Sequence, residues 1–139
     1  MLLILFCLLL PLTTADIPLK WVNCTTWTDQ LSIEKVEANI WPPKRNELLT
    51  VSVSGVAKET FIRGNYNKTI VYRKYSLPSI LGPLSDLGID LPTSPGPLRI
   101  IIFNATIPEV APAGRYDIYV KANEQDYAEI LCVAISWEF

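Results

Sequence analysis

From residue 31 onward the chain alternates apolar and polar positions in short runs, and no spacing of helical period lasts long enough to compete. Leu31–Ile40 (LSIEKVEANI) sets Ile33, Val36, Ala38 and Ile40 apart from polar neighbours, but the alternation slips between Ile33 and Val36, which predicts a bulge. Leu48–Val56 alternates without a slip: Leu49, Val51 and Val53 stand against Thr50, Ser52 and Ser54, the pattern of a half-buried strand. Further strands are predicted over Tyr66–Leu77, Leu98–Ile107, Tyr116–Ala122 and Glu129–Phe139, with room for a short one over Thr60–Gly64. Residues 16–30 form an irregular lead-in holding Trp21, Cys24 and Trp27. Trp41-Pro42-Pro43-Lys44-Arg45-Asn46 and Pro112-Ala113-Gly114 are breakers. Short strands separated by Pro/Gly turns predict an all-β sandwich.

One connection departs from hairpin length. Ser76–Pro97 carries Pro78, Pro83, Pro92, Pro95 and Pro97, yet also Leu77, Ile80, Leu81, Leu84, Leu87, Ile89 and Leu91. A loop of about twenty residues in a compact domain is usually functional or disordered, and this aliphatic content argues against disorder. Ile80, Leu84 and Leu87 fit one face of a short helical turn.

Side-chain parity follows from the sequons Asn23-Cys24-Thr25, Asn67-Lys68-Thr69 and Asn104-Ala105-Thr106, whose asparagines must be exposed if they carry glycans. Asn23 is the weakest candidate, because its neighbour is a cysteine. An outward Asn104 turns Ile101, Phe103 and Ala105 inward, and leaves Ile100 and Ile102 facing out unless a bulge or the long connection intervenes. An outward Asn67 takes Thr69 and Val71 with it and turns Ile70 and Tyr72 inward; Ile118 and Val120 share the parity of Tyr116.

Composition changes the picture at the amino terminus. Half of the 139 residues are hydrophobic, and the mean hydropathy is +0.25. Much of that excess sits in MLLILFCLLLPLTTA, whose apolar run stops at Pro11, too short to span a bilayer. It predicts a secretory signal cleaved after Ala15, leaving a domain over residues 16–139; an uncleaved anchor is the alternative. Cys7 would leave with the signal. Cys24 and Cys132 then form an even pair in an oxidising compartment, which predicts a disulfide enclosing nearly the whole domain, with two unpaired buried thiols as the alternative.

The absence of histidine removes the usual general base and the common metal ligand. A net charge of −2 is wrong for a nucleic-acid face. No enzyme, no cofactor and no nucleic-acid partner are expected. Glu124, Asp126 and Glu129 cluster near a turn, but their spacing matches no calcium loop, and a solvated hairpin is expected. Tyr116 is expected to anchor its turn. Trp41 with Lys44 and Arg45 suits either an anionic membrane surface or a turn whose Trp packs at its base.

Asn46–Gly55 (NELLTVSVSG), Ile107–Val120 (IPEVAPAGRYDIYV) and Glu129–Phe139 with Cys132, taken in that order and spacing, resemble the ML family of secreted lipid-binding domains. Within it the chain is most similar to the phosphatidylglycerol/phosphatidylinositol transfer proteins. The resemblance covers nearly all of residues 16–139. It implies an immunoglobulin-like two-sheet β-sandwich with an internal apolar cavity, a monomer that carries phospholipid or sterol, and Cys24–Cys132 as the family's outer disulfide. Relatives often place a second bridge near Leu77-Pro78 and Gly96; these cysteines are missing here, so the long connection is expected to be untied at its base.

The expected function is a secreted or endolysosomal lipid carrier. Its lining candidates are Val51, Val53, Ile70, Tyr72, Ile101, Phe103, Ile118, Val120, Val133 and Ile135, although the same residues would make a solid core in a recognition or adhesion module. Ile80, Leu81, Leu84 and Leu87 are candidates for a gate that touches the membrane transiently, with a permanently packed loop as the alternative. Replacing Leu84 and Leu87 by Ser is expected to slow lipid transfer more than it lowers stability.

Overall fold

The computed structural model describes residues 16–25, 30–125 and 128–139. The expected signal segment, Trp27 and Asp126 lie outside the described residues. The chain forms β1 (Ile17–Pro18), β2 (Val22–Asn23), β3 (Leu31–Ala38), β4 (Leu48–Ala57), β5 (Gly64–Tyr72), β6 (Tyr75–Ser76), β7 (Ile80–Pro83), β8 (Gly96–Thr106), β9 (Arg115–Glu124) and β10 (Glu129–Glu138), with one 3-10 turn at Leu84–Leu87. All pairings are antiparallel. One sheet runs β1-β3-β4-β8; the other runs β2-β10-β9-β5, with β6 and β7 both on the outer edge of β5. This is the two-sheet sandwich that the alternation predicted.

The strand with the cleanest alternation became an interior strand of its sheet. Leu49, Val51 and Val53 of β4 are wholly buried, and β4 pairs with β3 on one side and β8 on the other. Burying such side chains stabilises the fold by roughly 1.5–3 kcal/mol each. The slip in β3 is a register shift between Ile33 and Lys35. Cys24 and Cys132 form the disulfide across a separation of 108 residues, joining β10 to the segment just beyond β2. In the chain-entropy account a loop of this size contributes about 4–5 kcal/mol.

Several expectations need correction. The lead-in is not wholly irregular: β1 caps the edge of β3 and β2 caps the edge of β10. Tyr66–Leu77 is not one strand. It breaks at Arg73 and Lys74, whose φ values of 46° and 77° make a tight reversal into β6. Thr60–Arg63 is not a strand; Phe61 instead plunges into the core and is fully buried. Glu129 is buried rather than solvated.

The parity of β8 is also revised. Ile100 and Ile102 are buried, Ile101 is half-buried, and Asn104 remains exposed. A register shift opposite Val51/Ser52 explains it: Val53 faces Ile100, Ser52 faces Ile101, and Val51 faces Phe103, so Ile102 is the extra residue. Ile101 is therefore turned to the outer face, not inward. The long connection covers it there: a Cβ added at Gly88 would lie 3.4 Å from the Ile101 Cδ1. Gly88 caps the 3-10 turn with a left-handed φ of 72°, a conformation that suits glycine.

Residues 76–97 are thus structured. β7 pairs with β5 through Asn65↔Pro83 to Lys68↔Ile80. Leu84 and Leu87 share the buried face of the turn, as expected, but Ile80 does not join them; it sits on β7, half exposed.

Candidate functional site

The inner face of the second sheet is a grid. Tyr66, Lys68, Ile70 and Tyr72 of β5 lie opposite Ala122, Val120, Ile118 and Tyr116 of β9, which lie in turn opposite Leu131, Val133, Ile135 and Trp137 of β10. At one end of this grid, Tyr116 and Trp137 stack with ring centroids 5.2 Å apart, and Tyr72 lies 4.9 Å from Tyr116. The Tyr116 hydroxyl donates to the Pro112 carbonyl at 2.8 Å, the turn-anchoring role expected of it. Burial pushes its phenol above the usual tyrosine range. Trp41 meets Trp137 edge-on at 6.1 Å. The Arg45 guanidinium sits 4.5 Å from the Phe139 ring centroid and donates to the Ala111 carbonyl. Trp41 and Arg45 are therefore engaged by the protein's own aromatic end, the packed alternative of the two readings.

The lining candidates divide. Val51, Val53, Ile118, Val120, Val133 and Ile135 are buried between the sheets, at most 2 % exposed. Phe103 is buried at the margin. Ile70 and Tyr72 are only half-buried although they face inward, and Ala105, opposite Leu49 on the facing sheet, is exposed. Inward residues that still meet solvent mark a seam, and this one runs along the side of the sandwich where β8 ends one sheet and β5 carries its short edge strands. The 3-10 turn bridges it, touching β8, β5 and β7. Leu84 and Leu87 drive into the core there, 0 % and 2 % exposed, whereas Ile80 and Leu81 stand 50 % and 71 % exposed on β7. The four gate candidates are thus two plugs and two surface residues. Truncating either of these two buried side chains is therefore expected to cost about 2–5 kcal/mol of stability.

A hollow of about 450 Å³ opens on the seam. Its walls include Tyr66 and Lys68 of β5, Asp86 and Gly88 around the turn, and Ile101 and Asn104 of β8. The Lys68 ammonium lies 5.3 Å from the Phe103 ring centroid and 5.6 Å from that of Tyr66. Burial lowers its pKa from the ordinary lysine value. Tyr66 is shifted upward, first by burial and then by Asp86, whose carboxylate accepts from its hydroxyl. A wider hollow of about 590 Å³ lies elsewhere, among Glu59, Thr60, Ile62 and Arg63 of the β4–β5 connection and Glu124 and Gln125 at the end of β9. No group of three potential metal ligands occurs among the described residues.

Sequence reasoning missed Lys68 and Tyr66. The signal was present: the parity that turns Ile70 inward also turns them inward, but a lysine is easily discounted as a core-facing residue. The three sequon residues, Asn23, Asn67 and Asn104, are all exposed. Asn104 accepts a hydrogen bond from the Thr50 hydroxyl at 3.0 Å, which places its amide at the rim of the seam.

Comparison with known proteins yields a match between residues 18–139 and the family model for the ML domain. Phosphatidylglycerol/phosphatidylinositol transfer protein 2 of Dictyostelium discoideum is 31 % identical over 135 residues, covering 93 % of this chain and 92 % of that protein. A phosphatidylglycerol/phosphatidylinositol transfer protein of Mycosarcoma maydis is 23 % identical over 129 residues, covering 86 % of this chain and 65 % of the other. Among solved structures, a Niemann-Pick type C2 protein from the Japanese carpenter ant superposes with a TM-score of 0.65 at 13 % identity, over 86 % of this chain and 98 % of that one. Chicken MD-1 complexed with lipid IVa gives 0.57 at 12 % identity, over 82 % and 83 %.

Proposed function

The chain belongs to the ML domain family, and from that premise we propose that it is a lipid carrier, which holds one phospholipid between its two sheets and passes it between membranes. The observation that carries this reading is the seam: Ile70 and Tyr72 face inward yet meet solvent, beside a strand edge and a plug rich in aliphatic side chains. The names of the relatives, phosphatidylglycerol/phosphatidylinositol transfer proteins, supply the substrate class. A carrier needs an apolar interior, a mouth and a reversible closure, but no catalytic group. An acyl chain entering at the seam replaces the plug contacts of Leu84 and Leu87 with its own. Each methylene it buries is worth about 0.8 kcal/mol, so a partly enclosed chain offsets the loss.

Membrane contact falls to the edge of β5. Tyr75, Leu77, Ile80 and Leu81 are exposed there, next to the Arg73-Lys74 reversal. The work belongs to the secretory pathway, in the extracellular space or the endolysosomal lumen, with the Cys24–Cys132 disulfide suited to that compartment and with Asn67 and Asn104 as glycan acceptors.

The near-complete burial of Val51, Val53, Ile118 and Val120 favours a second reading, a recognition module with a solid core. Native mass spectrometry of the purified protein separates the two. The carrier reading expects a co-purifying lipid, or uptake of a fluorescent phospholipid, and the mass distinguishes phospholipid from sterol. Protein that stays lipid-free and takes up no probe belongs to the recognition module.

A further inference from the structure

Building on the carrier reading, we infer that Lys68 is a phosphate-binding residue: its ammonium receives the phosphodiester of an anionic phospholipid whose chains enter the seam, so that the site selects lipids that carry phosphate. Lys68 occupies an inward position of β5, paired with Val120, where every other residue in its row is apolar or aromatic. Its ammonium rests against the rings of Tyr66 and Phe103 rather than against an acid. The ion pairs among the described residues lie elsewhere, at Lys35–Glu37, Arg99–Asp16 and Arg115–Asp117. The one carboxylate on the walls of the hollow, Asp86, is exposed and accepts from Tyr66.

A half-buried cation without a counter-ion is costly to keep. The lowered pKa of Lys68, caused by burial alone, agrees with that cost. Space for an anion lies beside it, in the hollow of about 450 Å³. The Ser85 hydroxyl stands on the same wall, with the chemistry to donate to phosphate oxygens. Next along the inner face come Ile70 and Tyr72, apolar surface for the chains of the same molecule. Charge, room and apolar continuation thus follow the order of groups in a phospholipid: phosphate at the rim, chains inside.

The test compares phosphatidylglycerol with diacylglycerol of identical chains, each titrated against the wild-type protein, Lys68→Met and Lys68→Arg. A charge-assisted bond to phosphate predicts a wild-type preference for phosphatidylglycerol of about 10-fold or more. That ratio is expected to collapse toward one in Lys68→Met and to be largely kept in Lys68→Arg. Thermal unfolding shows that the variants are folded, since losing a half-buried charge is expected to raise the midpoint of Lys68→Met. A ratio unmoved by Lys68→Met overturns the inference while lipid uptake itself leaves the carrier reading standing. Wild-type protein that binds neither lipid overturns both. Inorganic phosphate is the third probe: if it binds in a Lys68-dependent way while the lipid ratio stays unmoved, the site belongs to the free ion and the headgroup assignment is wrong.

Discussion

Phe61 and Thr93 hold each other from both sides. The Phe61 amide donates to the Thr93 hydroxyl at 2.9 Å, and the Thr93 amide donates to the Phe61 carbonyl, also at 2.9 Å. Both residues are buried. The pair ties the far end of the 76–97 segment to the chain before β5, a link separate from the bridge whose cysteines are missing near Leu77-Pro78 and Gly96.

Thr93→Val keeps the shape but removes the acceptor, leaving the Phe61 amide buried without its partner. The expected loss is about 1–3 kcal/mol, measured by urea unfolding, together with faster proteolysis within residues 84–97. A variant as stable and as protease-resistant as the wild type would show that the tie is unimportant.

The plug and the surface residues of the seam should behave differently. Leu84→Ala is expected to cost about 2–5 kcal/mol. Ile80→Ser with Leu81→Ser, on the exposed edge, should change stability by only about 0.5 kcal/mol yet slow vesicle-to-vesicle transfer several-fold. Transfer at the wild-type rate in the double variant would remove β7 from the membrane-contact surface.

Reduction of Cys24–Cys132 is expected to lower stability by about 4–5 kcal/mol in the chain-entropy account. The check is the denaturation midpoint with and without reductant, with Cys24→Ser/Cys132→Ser as the matching variant.

The alkaline limb of stability separates Lys68 from the tyrosines. The folded state lowers the Lys68 pKa, so between that value and the unfolded one the unfolded chain binds more protons, and stability rises with pH. Tyr66 and Tyr116 are raised; their contribution is fully present below the unfolded tyrosine value and is lost as pH climbs through the folded one. Wild type should therefore gain stability relative to Lys68→Met as pH approaches the ordinary lysine range. Parallel pH profiles would contradict the burial of the ammonium.

Much of the sandwich was legible because β4 and β9 turn their apolar residues to the core face, and a period of two records that directly. Leu49, Val51 and Val53 announced themselves. What escaped had physical reasons. Nothing local distinguishes Phe61 from a loop aromatic; its burial comes from Thr93, thirty-two residues away. The reversal at Arg73-Lys74 carries no Gly or Asn, the residues that usually flag positive φ. The seam residue Lys68 followed from parity but contradicted its own polarity, and such conflicts between local chemistry and global position tend to fall at functional sites.

The extra residue in β8 has a further effect. With Ile102 taken up as a bulge, Phe103 stays between the sheets and Asn104 stays in solvent; if the same residues alternated without a bulge from Ile100, every position from Phe103 to Thr106 would turn over, carrying the asparagine of the sequon inside and the phenylalanine out. A single isoleucine thus acts as a phase marker. It allows an apolar run, Ile100 to Phe103, to serve two layers at once, the core on one side and the 3-10 turn on the other, while the polar end of the strand keeps time with the solvent.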